Sequence, residues 1–196
     1  MVLIYRIRAA AGRWLQKHSL LLEWIMILVQ LTLLAGVCSV MINADVFQSI
    51  PMAVNSFMYL AVLLLDLVLF VSCDVGGHTN LLTKLIFELM LFSAYVSTAA
   101  AAFAYFYNGR PEHTTGIYIS SIVSYCLLVV MLGLYWLYYK NTLPMNQKTP
   151  ILDAIEVVMM LVGLGFAIAN PFTGVFFTVS EDGYYIYSRY NWISYS

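Results

Sequence analysis

"MAVNSFMYLAVLLLDLVLFVSC", residues 52–73, holds a single charged side chain, Asp66. At about 1.5 Å per residue, a helix over this stretch covers roughly 33 Å, the thickness of the hydrocarbon core of a bilayer. The stretch therefore reads as a membrane span. Four further runs of the same kind occur, at 20–42, 81–107, 117–139 and 151–169. The segments between them, "NADVFQSIP", "CDVGGHTN", "YNGRPEHTTG" and "NTLPMNQKTP", are rich in the Asn, Pro, Gly and Asp that end helices, and Asn170-Pro171 is expected to stop the fifth. Connections this short make consecutive helices neighbours.

The whole chain agrees with this reading. Of its 196 residues 62% are hydrophobic and 10% charged, and the mean hydropathy is +0.84, all well outside the globular range. Nine Lys and Arg against ten Asp and Glu give a net charge of −1, so no nucleic-acid surface is indicated. The expected fold class is an all-α membrane protein: five transmembrane helices, an N-terminal amphipathic helix and a C-terminal extracytoplasmic β-hairpin-like segment. Residues 1–19 form the interfacial helix, 20–169 the five-helix bundle and 170–196 an aromatic hairpin leading towards a sixth span. In the first of these, Leu3, Ile7, Ala10 and Trp14 share a face away from Arg6, Arg13 and Lys17, the pattern of a helix lying on a membrane. A basic flank that merely fixes topology gives the same residues. The first apolar run is too long for the h-region of a signal peptide, about 7 to 15 residues, and reads as an uncleaved span.

Orientation follows the basic residues. With the N-terminus cytoplasmic, Arg6, Arg8, Arg13, Lys17, Lys84, Lys140 and Lys148 lie inside, and only Arg110 and Arg189 outside. The outer segments carry Asp45, Glu112, Glu181 and Asp182 instead. Cys38 and Cys73 are assigned to opposite ends of their helices, too far apart for a disulfide, and Cys126 lies within the fourth span. In the third span two rows of small residues, Ser93/Ser97/Ala101 and Ala94/Thr98/Ala102, step by four. Such rows let helices approach closely in lipid, which places this helix at the centre of the bundle.

Charged groups within spans are costly and are candidates for function. Glu23 and Glu156 are expected near the cytoplasmic ends of their helices, and Glu88 follows Lys84 by four residues, a spacing that pairs the two on one face. Asp66 lies deep in its span and needs protonation, a partner or water. A hydrogen bond to a Ser, Thr or Tyr hydroxyl of a neighbouring helix is expected, and a polar switch or proton-sensitive site is the functional alternative. No phosphate-binding loop, H-E-x-x-H or C-x-x-C is present, and His18, His78 and His113 are scattered, so this segment is expected to be no enzyme and to hold no metal or other cofactor.

After Asn170, "VFFTV" and "YYIYSRY" flank "SEDG". Two aromatic and β-branched runs joined by a short loop ending in Gly predict a β-hairpin, with Gly183 at positive φ. Asn170, Gly174, Phe177, Asp182, Gly183 and Tyr185 together resemble the multi-pass N-terminal sensor regions of bacterial diguanylate cyclase (GGDEF) and histidine kinase signalling proteins. The close resemblance covers about 20 of 196 residues. Where that family often has Arg two residues after the Tyr, this chain has Tyr187, with Arg189 two further on.

The resemblance implies a sensory input region in the bacterial cytoplasmic membrane, severed before a sixth span and a cytoplasmic output enzyme. Its signal is a small molecule or peptide, its surroundings the lipid bilayer, and its assembly a homodimer. Asp66, Glu88, Phe177, Asp182, Gly183, Tyr185 and Arg189 are the candidate signal or switch residues. Competing readings are a fragment of a transporter or channel with Asp66 in a polar pathway, and a membrane enzyme whose active site lies downstream.

Overall fold

The computed structural model describes residues 2–43, 50–72, 81–142 and 150–188. Five long helices follow one another: α1 (Val2–Asn43), α2 (Ile50–Ser72), α3 (Leu81–Tyr107), α4 (Thr114–Thr142) and α5 (Pro150–Thr173). Each contains a stretch long and apolar enough to cross a membrane. Two three-residue strands, β1 (Phe177–Val179) and β2 (Tyr185–Tyr187), pair antiparallel behind them. Short connections make the helices alternate in direction. Asn55 near the start of α2 therefore donates to the Tyr105 hydroxyl near the end of α3, 3.2 Å away.

Two boundaries differ from the sequence reading. The N-terminal segment and the first span are one continuous helix, Val2–Asn43, with no break at residue 19. Asn170-Pro171 does not stop α5, which runs on to Thr173. A proline in the last turn removes one hydrogen bond that a fraying helix end loses at little cost. The stop comes at Gly174, whose φ of 61° reverses the chain while its N–H donates to the Asn170 carbonyl at 2.7 Å.

α3 occupies the centre, packed against α1, α2 and α4, whereas α5 leans on α4. Within the most apolar window of each span, 39% of residues are buried in α3 and 6% in α5. The small side chains of α3 explain the difference. Ala99 and Ala102 are fully buried against Val37 of α1 and Leu63 of α2, and Ser97 reaches both the hydroxyl and the carbonyl of Ser124 on α4. Tyr95 donates its hydroxyl to the Gln30 carbonyl of α1 at 2.7 Å. The Gln30 side-chain amide, also fully buried, finds no partner among the described residues.

The α4–α5 seam relies on glycine in a similar way. A methyl group added at Gly133 would overlap the Met160 thioether, and one at Gly163 would press on Val129 at 3.2 Å. Leu65, Val158 and Leu161 point outward, a surface suited to lipid.

Ala102→Leu forces a larger side chain into the α1–α2–α3 centre and should cost about 1–3 kcal/mol. Tyr95→Phe, which removes one hydroxyl, should cost about 0.5–1.5 kcal/mol. Thermal unfolding in detergent measures both. An Ala102→Leu protein as stable as wild type would contradict the central position of α3.

Candidate functional site

The hairpin is built by local chemistry. The register pairs Phe177 with Tyr187, Thr178 with Ile186 and Val179 with Tyr185, and Ser188 extends it by donating to the Phe176 carbonyl at 3.0 Å. Its turn is closed by Gly183 donating to the Ser180 carbonyl and Tyr184 donating to the Ser180 hydroxyl. Gly183 has φ 78°, as the sequence predicts.

An isolated two-stranded hairpin is marginal in water, so this one depends on what it docks against. Asn170, 1% exposed, grips the incoming strand: its Oδ1 accepts from Phe176 N at 2.7 Å and Phe177 N at 3.3 Å, and its Nδ2 donates to the Phe177 carbonyl at 3.0 Å. On α4 the Tyr118 hydroxyl accepts from Val179 N at 3.1 Å. The turn between α3 and α4 supplies the third anchor. There Asn108 Oδ1 accepts from Tyr185 N at 2.7 Å and Gly109 N donates to the Gly183 carbonyl at 2.9 Å. A Cβ on Gly183 would lie 2.5 Å from the Arg110 carbonyl carbon, so the position requires glycine twice over.

Phe177 fills the space between the hairpin and the bundle and is fully buried. Its ring stacks on Tyr185 at 4.9 Å and on Tyr125 at 5.9 Å, with Tyr118 tilted beside it at 5.6 Å. The Tyr125 and Tyr185 hydroxyls meet at 3.2 Å. Asn170, Phe177 and these tyrosines thus join α5, α4 and the hairpin into one unit.

Beside this unit lies a partly open cavity of about 430 Å³. Tyr59 of α2 and Tyr105 of α3 form one wall, Tyr185 and Tyr187 of β2 another, and Tyr125, Ser121 and Ser124 of α4 a third. Ala101 and Ala104 leave the room that larger residues would fill. The Ser121 hydroxyl is buried in this lining without a hydrogen-bond partner among the described residues. Its oxygen has almost no accessible surface, and such a group carries a desolvation cost of about 1–3 kcal/mol.

Comparison with protein-family models, with curated proteins and with solved structures finds no match.

Of the candidates read from sequence, Tyr185 lines the cavity and Phe177 and Gly183 hold the hairpin over it. Asp182 stands exposed in the turn, and Arg189 lies outside the described residues. Asp66 and Glu88 are elsewhere. Asp66 is half-buried on α2, two helical turns from Tyr59, and forms none of the hydroxyl hydrogen bonds expected of it; among the described residues it has no hydrogen-bond or ion-pair partner. Glu88 does pair with Lys84 at 3.4 Å, and Lys84 also reaches Glu23 of α1 at 3.1 Å. At the same end, Lys140 of α4 pairs with Asp153 of α5, which also accepts from Trp136 at 3.3 Å. These ion pairs tie α1 to α3 and α4 to α5 at the end away from the hairpin.

Sequence reasoning missed Tyr59, Tyr105, Tyr125 and Ser121. Ser121, Ser124 and Tyr125, spaced three and four apart, do share one helix face, and that polar stripe inside an apolar run was the available signal.

Asn170→Leu keeps the volume but strands the strand's amides, and should cost about 2–4 kcal/mol. Hydrogen exchange at Phe176 and Phe177 should quicken accordingly, with the five helices retained by circular dichroism. Unchanged protection would mean that Asn170 does not hold the hairpin.

Proposed function

We propose that this chain is the membrane-embedded sensory input region of a bacterial signal-transduction protein. Its hairpin end receives a signal on the outside, and its helices pass the signal to a diguanylate cyclase or histidine kinase output domain in the cytoplasm. The supporting observation is that one hairpin both roofs a polar cavity and is hydrogen-bonded to α4, α5 and the α3–α4 turn. A ligand that prefers one docking of the hairpin then shifts the packing of three helices, and it shifts it by no more than its difference in affinity for the two arrangements. The bias of Lys and Arg toward the opposite end supports an external hairpin in the cytoplasmic membrane.

The rival reading, a transporter or channel fragment, draws on the carboxyl of Asp66 within α2, which has no hydrogen-bond or ion-pair partner among the described residues. Asp66→Asn separates the two. Loss of solute or ion flux with an intact output favours transport, and a changed output without any flux favours signalling.

Gly183→Val tests the coupling itself. It should undock the hairpin, by strain of about 1–3 kcal/mol and by collision with Arg110. The basal output of the full-length protein, read as cyclic dinucleotide formed or as autophosphorylation, should change at equal expression. An output that ignores a hairpin shown by hydrogen exchange to be undocked would sink the sensor reading. Orientation has its own check: a cysteine placed at Glu181 should react with an impermeant thiol reagent added outside.

A further inference from the structure

We propose that the cavity beneath the hairpin binds a small organic ammonium ion that also carries a hydroxyl, an amino alcohol or its quaternary form. This names the ligand class for the input site proposed above, but it concerns binding alone.

The lining decides the charge. Its side chains include neither Lys nor Arg, so no positive charge there offsets the desolvation of an anion. They include no His, Cys, Asp or Glu, and no three such residues gather anywhere among the described residues, so a hard metal ion finds no ligand set. What the lining does offer is five tyrosine rings. Tyr59 and Tyr105 incline at 46° with centroids 5.7 Å apart, and Tyr185 and Tyr187 at 76° with centroids 4.9 Å apart. Rings set at such angles form corners rather than a flat stack, the arrangement by which aromatic cages hold weakly hydrated ammonium groups through the ring quadrupoles. The exposed charges around the hairpin point the same way: Glu112, Glu181 and Asp182 outnumber Arg110 among the described residues, a field that draws cations inward.

The second group of the ligand follows from the polar lining: Asn108, Ser124 and the tyrosine hydroxyls give an occupant's hydroxyl hydrogen-bond partners in place of water. A volume of about 430 Å³ lies near the small end of ligand pockets and suits a compact molecule.

The test uses the whole chain in lipid nanodiscs and three probes, with calorimetry as the readout. Choline carries both groups, 3,3-dimethylbutan-1-ol is its neutral isostere, and tetramethylammonium keeps the charge without the hydroxyl. Choline should bind saturably and about tenfold or more tighter than the neutral isostere. Tyr105→Leu should weaken choline by about tenfold, and tetramethylammonium, which lacks the hydroxyl, should bind several-fold more weakly than choline. Thermal unfolding certifies that the variant is folded. Equal binding of the neutral isostere, or no saturable choline binding by folded wild-type chain, overturns the proposal. Choline that binds as expected yet leaves the output of the full-length protein unaltered retires the sensor reading and leaves this one standing.

Discussion

The close approach of α3 to α4 is the contact on which the other features depend. In lipid, apolar side chains gain little by leaving one hydrocarbon surrounding for another, so helices associate through tight packing and interhelical hydrogen bonds. Ser97 and Ser124 supply the bond, and the alanine and serine steps of α3 supply the closeness. The same small residues, Ala101 and Ala104, also leave the cavity open towards the hairpin end. One compositional choice thus produces both a firm seam and an internal space.

At the hairpin end the problem changes from packing to satisfying backbone groups. A chain leaving a membrane helix must find partners for its amides and carbonyls. Asn170, Tyr118 and Asn108 provide them from three different elements, and Gly183 and Gly109 meet backbone to backbone. The opposite end uses charge instead, with Glu23, Lys84 and Glu88 on one side and Lys140 and Asp153 on the other. The Lys140–Asp153 pair is partly exposed and worth little by itself, whereas Glu88 is buried beside Lys84 and depends on that partner.

The spans were legible because an apolar run of membrane length has few other readings, and the hairpin because Gly183 and its flanking aromatic residues share one turn chemistry. The Lys84–Glu88 pair was legible from a spacing of four, whereas Glu23 was not, since its approach depends on how α1 is rotated against α3. Asn170 was noticed for the wrong reason. The Asn-Pro dipeptide looks like a helix stop, but its importance lies in a buried amide that reads the backbone six and seven residues on. The cavity left only traces in the sequence, Tyr185 and the polar stripe of α4, because Tyr59, Tyr105, Tyr125 and Tyr185 converge only after four elements have packed. Asp66, conspicuous in the sequence, stands apart from them.

The position of α5 has a mechanical consequence. It leans on α4 along its length and is fastened at its two ends, by Asp153 at one and by Asn170 through the hairpin at the other. A helix fastened at both ends cannot slide along α4 without breaking one of these joints.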